Sequence, residues 1–146
     1  MARIIAVCRS DNKGMKKTPV TIGHFRKEFG MLNDAHASGK WHRQVSLLAQ
    51  ESADKMRKLG VNVGPGDFAE NLTTEGIELI NLPIGTKLSV GENVILEVSQ
   101  IGKECHTRCA IFQQVGTCVM PTEGIFARVI KGGSIKPNDS IQVIRE

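Results

Sequence analysis

The stretch KLSVGENVILEVSQI, residues 87–101, decides the fold class. Leu88 and Val90, then Val94, Leu96 and Val98, alternate with polar or outward positions on either side of Gly91-Glu92-Asn93. A period of two around a glycine-bearing turn is the pattern of a β-hairpin with one face against a core. Working outward, ARIIAVC (2–8) and TPVTI (18–22) read as two further strands separated by the polar turn Ser10-Asp11-Asn12-Lys13-Gly14. At the far end, Ser140 to Ile144 follows the turn Pro137-Asn138-Asp139 and is expected to complete the sheet. Fifteen glycines fall in short clusters between apolar runs, the punctuation of many strands and tight turns.

Two helices are expected. From Val45 to Leu59, apolar residues recur at Val45, Leu48, Ala49, Ala53, Met56 and Leu59, one face at 3.6 residues per turn. Ser46 would cap the start and Gly60 the end, with Glu51–Lys55 and Asp54–Lys58 spaced four apart on the wet side. A shorter helix is read from Thr122, after Pro121, through Ile130 to Gly132. Two helices against six or more short strands predict a mainly β, β-rich α+β domain, barrel-like, with helices on its outside, since closure removes strand edges.

The chain has 146 residues, 40% hydrophobic and 23% charged, enough for one core; a single domain over 1–146 is expected. No run approaches the eighteen apolar residues of a membrane span, and the opening Met-Ala-Arg-Ile-Ile-Ala-Val-Cys is too short for a signal peptide. A cytoplasmic protein without membrane partners is the expectation, and its four cysteines are read as thiols. The net charge of +4 admits an anionic partner, but Lys and Arg are spread along the chain and there is no Tyr and one Trp. Nucleic acid is therefore disfavoured and a small phosphate-bearing ligand is preferred.

The densest chemistry is Gly102-Lys103-Glu104-Cys105-His106-Thr107-Arg108-Cys109, directly after the hairpin. Thiolate is both nucleophile and metal ligand, and neighbouring cations lower a thiol's pKa, so Cys105 or Cys109 can be ionised near neutrality. Lys103, His106 and Arg108 would also hold phosphate oxygens. Three readings compete: small core cysteines under a solvated charged surface, a zinc site from Cys105, Cys109, His106 and Cys118, or an exposed thiolate carrying sulfur or ligating a soft metal. The spacing suits zinc poorly, because paired zinc cysteines stand two to four residues apart with a separate second pair.

Three other clusters offer less. Residues 64–76 hold Glu70 and Asn71 in a glycine-bearing loop, which offers directional hydrogen bonds or is a plain turn. Residues 33–43 carry His36, His42 and Arg43 before the long apolar run, either as anion contacts or as backbone hydrogen-bonders. Residues 124–133 place Arg128 and Lys131 beside a glycine pair without the spacing of a phosphate loop.

In this order, DAHASGKWHRQVSLL (34–48), GDFAENLTTEGIELINLPIGTKLSVG (66–91), IGKECHTRCAIF (101–112) and EGIFARVIKGGSIKPND (123–139) resemble the MOSC family, named for the C-terminal domain of molybdenum cofactor sulfurases. The resemblance implies a β-barrel with peripheral helices that binds the molybdenum cofactor (molybdopterin) or carries sulfur between a donor and an acceptor protein. It implies that Cys109, within Arg108-Cys109-Ala110-Ile111, is the metal or sulfur residue, with Cys105 the alternative. By the same likeness Asn71 and Glu70 match the ligand-side loop, His36 the loop before the helix, and Arg128 the late basic position. Pyridoxal phosphate is not expected in this chain alone, because the desulfurase domain that carries it does not fit into 146 residues. Molybdenum-dependent reduction of N-hydroxylated compounds, and a zinc-stabilised or anion-binding module without chemistry, are the alternatives.

Overall fold

The computed structural model describes residues 2–10, 17–34, 37–40, 42–60, 62–68, 70–102 and 123–144. Among them run eleven strands and one α-helix: β1 (Arg3–Arg9), β2 (Thr18–Val20), β3 (Gly23–Arg26), β4 (Gly30–Met31), β5 (Val45–Ala49), α1 (Gln50–Lys58), β6 (Leu72–Glu75), β7 (Lys87–Val90), β8 (Val94–Ile101), β9 (Ile125–Lys131), β10 (Gly133–Ile135) and β11 (Ile141–Val143). The expected hairpin is β7–β8, with Leu88 opposite Leu96 and Val90 opposite Val94, all four buried.

Eight strands form one sheet in the order β11-β7-β8-β9-β5-β6-β1-β2, and β10-β3-β4 form a second. The mainly β architecture agrees with the sequence. The barrel does not, because β11 and β2 remain separate edges of the larger sheet. The outer side of β1 is divided: β2 occupies it from Val7 to Arg9, while Arg3 meets Ser140 in one isolated bridge. A short β2 containing Pro19 and a single bridge cannot make the continuous ladder that closure needs.

The long helix expected over 45–59 is a strand and a shorter helix. Residues Val45–Ala49 form β5, paired antiparallel with β9 and parallel with β6, and the helix starts only at Gln50. All five residues of β5 are buried. Val45, Leu47 and Ala49 enter the main core, and Leu48 packs on the other side with Ala53, Met56, Val63, Phe68 and Phe126. A strand buried on both faces is apolar at nearly every position, so it imitates the start of a helical stripe. Ser46 is therefore inside a strand and caps nothing; the residue at the cap position, Ala49, makes no side-chain cap. Gly60, at φ +91°, ends the helix as expected, its N–H bonded to the Arg57 carbonyl. On the wet side the partners differ from the four-residue spacing: Asp54 pairs with Arg57, and Lys55 reaches Glu123.

The second expected helix is also corrected. Residues Ile125–Lys131 are β9, the strand between β8 and β5. Ile125, Phe126, Val129 and Ile130 are β-branched or aromatic and fit a pleated, half-buried surface better than a helix. The proposed cap Thr122 lies outside the described residues.

Leu48 joins β5 to α1 through the second core, so Leu48→Ala is expected to lower unfolding free energy by about 2–5 kcal/mol in urea titration.

Candidate functional site

One crosswise row of the large sheet organises the site. Gln100 on β8 stands opposite Phe126 on β9, and Phe126 opposite Ser46 on β5. Ser46 then meets Asn71, just before β6, whose carbonyl accepts the N–H of Cys8 on β1 over 2.7 Å. The neighbouring row, Ile101–Ile125–Leu47–Leu72–Val7, is apolar and runs through the same strands.

Asn71 is 1% exposed and fully engaged. Its Oδ1 accepts the Ser46 N–H at 3.0 Å and faces the Ser46 hydroxyl at 3.2 Å, and its Nδ2 donates to the Cys8 carbonyl at 3.2 Å. The side chain thus ties β1 to β5 from the start of β6. That position was singled out as ligand-side; the geometry gives it a positioning task inside the sheet.

Glu70, also 1% exposed, bonds inward. Oε1 accepts the Gly66 N–H at 3.1 Å and Oε2 the Thr73 hydroxyl at 2.8 Å. Burial pushes its carboxyl above the ordinary range, against the lowering effect of these hydrogen bonds. Gly66 has to be glycine: its φ is +88°, and a Cβ there would stand 2.1 Å from the Lys17 carbonyl oxygen. Lys17 in turn donates through Nζ to Asp34 at 2.8 and 3.0 Å, with side chains 1% and 0% exposed. With the Lys17 N–H donating to the Gly66 carbonyl at 2.9 Å, a continuous buried chain of hydrogen bonds links the Glu70 loop to Asp34.

Cys8 lies beside this chain, 0% exposed, and burial with the nearby Glu70 pushes its thiol up to about 12. It is not a thiolate at physiological pH. That leaves Cys105, Cys109 and Cys118, which together with Lys103, His106, Arg108 and His36 lie outside the described residues. Where the cysteine-bearing connection leaves and rejoins the sheet is fixed: Ile101 opposes Ile125, and the Gly102 N–H donates to the Gly124 carbonyl at 2.7 Å.

Around this exit the structure gathers three residues. His42 Nε2 donates to Gln100 Oε1 over 2.6 Å, and Gln100 Nε2 donates to the Gly102 carbonyl over 2.7 Å. The Arg43 guanidinium lies over the Phe126 ring, 5.4 Å from its centroid. A register shift between Val98 and Gln100 turns β8 here, and the Ser99 hydroxyl binds the His42 carbonyl. Gln100 was missed in the sequence. The signal was a polar side chain continuing the inward alternation Val94, Leu96, Val98.

Arg128 stands two residues beyond Phe126 on β9, on the same face of the strand. It is held by Glu28 in a two-point contact of 2.5 and 3.2 Å, and Glu97 stands 3.8 Å away. Hydrogen bonding from Arg128 holds the Glu28 carboxyl below its usual range. Among the described residues no group of three His, Cys, Asp or Glu is placed to hold a metal ion. The described groups thus supply cations and directional hydrogen bonds.

Two outcomes follow. Asn71→Ala removes the side-chain acceptor of the Ser46 N–H and the side-chain donor to the Cys8 carbonyl, and is expected to cost about 3 kcal/mol in chemical denaturation. For Glu70, the folded state holds its proton more tightly than the unfolded chain, so stability falls as pH rises from the ordinary value of 4.5 toward the raised one. Glu70→Gln removes this loss while keeping the shape. The stability of Glu70→Gln relative to wild type should therefore climb with pH across that window and level off above it; a pH-independent difference refutes the buried-acid account.

The MOSC domain profile matches residues 34–142. The fold is similar to that of the YuaD protein from Bacillus subtilis, at a TM-score of 0.80 and 17% identity over 98% of this chain and 96% of that one. YiiM from Geobacillus stearothermophilus aligns at 0.72 and 18% identity, covering 99% and 76% of the two chains. YiiM from Escherichia coli aligns at 0.67 and 19%, covering 99% and 70%. No curated protein sequence matches the chain. Among the described residues no helix is long and apolar enough to cross a membrane. With the profile covering most of the sheet, from Asp34 at the buried ion pair to β11, the chain belongs to the MOSC domain family, which is associated with molybdenum-cofactor-related function.

Proposed function

We propose that this protein binds the molybdenum cofactor, or carries sulfur for it, through a cysteine thiolate in the connection that follows β8. The observation that carries the reading is the hydrogen-bonded path from His42 through Gln100 to Gly102, the residue from which that connection departs, with Arg43 over Phe126, the residue opposite Gln100 on β9.

The donor chemistry fits the cofactor in two parts. Its phosphate is an anion, for which the guanidinium of Arg43 and the imidazole of His42 are suited partners, with Lys103, His106, Arg108 and Arg128 as further cations of the same site. Its metal is soft enough to favour a thiolate, for which Cys109 is the first choice and Cys105 the second. When bound, the cofactor supplies a redox-active metal; this chain's residues hold and orient it. Asn71 acts beneath the site by fixing β5 against β1, and Gln100 by holding the first residue of the connection.

In the sulfur-carrier form of the same reading, the thiolate attacks the outer sulfur of a donor protein's persulfide, whose S–S bond breaks with the donor cysteine leaving as thiolate, and the persulfide so formed gives that outer sulfur to an acceptor's nucleophile, which regenerates the thiolate. This needs an ionised, approachable cysteine. Cys8, buried and pushed up to about 12, does not meet that need.

The test is to purify wild type, Cys109→Ser, Cys105→Ser and Cys8→Ser from a molybdenum-replete host, then measure molybdenum and the cofactor's fluorescent oxidation product. Loss on the order of tenfold or more is expected for Cys109→Ser, or for Cys105→Ser if that is the ligand, with Cys8→Ser retaining its content. Equal content in all four proteins removes the ligand role. Stoichiometric zinc in place of molybdenum, with melting on chelation, identifies a zinc-stabilised module instead.

A further inference from the structure

Glu28 stands in the turn between β3 and β4 at φ +56°, a left-handed conformation in which a non-glycine residue is strained. The backbone of this turn is fixed on both sides. The Glu28 N–H donates to the Val129 carbonyl on β9 at 2.9 Å, and Gly30, where a Cβ would stand 2.5 Å from the Gln44 carbonyl oxygen, lies hard against the lead into β5. The turn thereby delivers the Glu28 carboxylate to Arg128, one residue before Val129, in the two-point contact described above.

The seat around that carboxylate is built from more than one side chain. Gln44 is 2% exposed, and its Oε1 is committed to the Val129 N–H at 3.0 Å, which turns the amide nitrogen toward Glu28, with which it hydrogen-bonds. Glu97 flanks Arg128 at 3.8 Å and is itself opposite Lys87 on β7. Lys27 lies within electrostatic reach of Glu28 as well. With Glu28 set aside, the three cations Lys27, Lys87 and Arg128 stand against the one carboxylate of Glu97, a net +2. A planar guanidinium fork, a buried amide donor and a positive surrounding suit the oxygens of a phosphate as well as those of a carboxylate. The Glu28 and Arg128 side chains are 41% and 39% exposed, so their contact holds weakly and a dissolved anion can reach it.

We propose that a phosphate group takes this seat on Arg128 and Gln44 by displacing the Glu28 carboxylate, which acts as a built-in plug. Only the Glu28 side chain has to rotate away, because the turn beneath it is held through its backbone to Val129. Arg128 then passes from one two-point partner to another, and the Gln44 amide with it, so the buried donor is satisfied in both states. The exchange deepens the cofactor reading and rests on it for the source of the phosphate, while the exchange itself involves no cysteine. An incoming anion has to outcompete an internal one, so affinity is set by Glu28 as much as by the cations.

Inorganic phosphate is the probe, titrated against the full chain prepared without added molybdenum, with affinity read from the phosphorus-31 NMR signal. In the wild type, saturable binding is expected to shift the Arg128 Nε–H resonance. Glu28→Gln keeps the shape of the plug without its charge and should bind phosphate on the order of tenfold tighter, the gain expected where the plug fills the seat about nine-tenths of the time. Arg128→Gln should weaken binding by a similar factor or more, whether or not Glu28 is changed. Glu92→Gln removes the same charge at the exposed β7–β8 turn and should leave the affinity unchanged. Equal affinity in wild type and Glu28→Gln overturns the proposal, as does equal tightening by Glu92→Gln or binding that survives Arg128→Gln. The cofactor reading fails separately, since equal molybdenum content across the cysteine variants refutes it without reference to the phosphate titration.

Discussion

Everything in this fold depends on β5 being held in the middle of a sheet with no face to the water. Its main chain pairs with β9 on one side and β6 on the other, and its side chains enter two cores at once. The strand has little polar surface with which to specify its register. Asn71 supplies that specification by bonding both the N–H and the hydroxyl of Ser46 while gripping the Cys8 carbonyl. A one-residue slip of β5 would move Leu48 into the main core and Leu47 out of it, and would leave a buried amide unpaired; both penalties act in the same direction.

Electrostatics follow the same economy. The buried polar layer beside β1 holds an ion pair, Lys17 with Asp34, and a carboxyl, Glu70, whose bonds come from a backbone N–H and a hydroxyl. Removing either member of the pair would strand a charge out of reach of water, which costs far more than the pair itself contributes. Glu70 avoids that problem by holding a proton more readily. The same surroundings that make Glu70 a weak acid make Cys8 a weak one.

The hairpin at 87–101 was legible to the residue, because a one-sided strand leaves a clean period of two. The strands at the start and end of the chain were legible nearly as well. β5 and β9 were not: Val45, Leu48 and Ala49 satisfy a helical period by accident, and the one contrary sign was Leu47, apolar yet off the helical face. For the site, Asn71, Glu70 and Arg128 were picked out as polar residues in suggestive loops. The sequence could not tell that two of them bond inward and the third to carboxylates, since that depends on Ser46, Gly66 and Glu28, which lie 25, 4 and 100 positions away. The candidate thiolate segment 103–109, with His36, lies outside the described residues.

The order of strands in the large sheet sets how the chain acquires it. β7 and β8 are joined by a tight turn and pair over a few residues of chain, a contact that forms on the microsecond scale. The β1–β6 pairing, Arg3 with Glu75 through Val7 with Leu72, encloses more than sixty residues, and β8–β9 spans the whole cysteine-bearing connection. Such closures are entropically expensive and come late. During that delay β5, apolar at every position but Ser46 and with no partner yet on either edge, is the segment most open to self-association, and a chaperone or a slow dilution would be most useful at that stage.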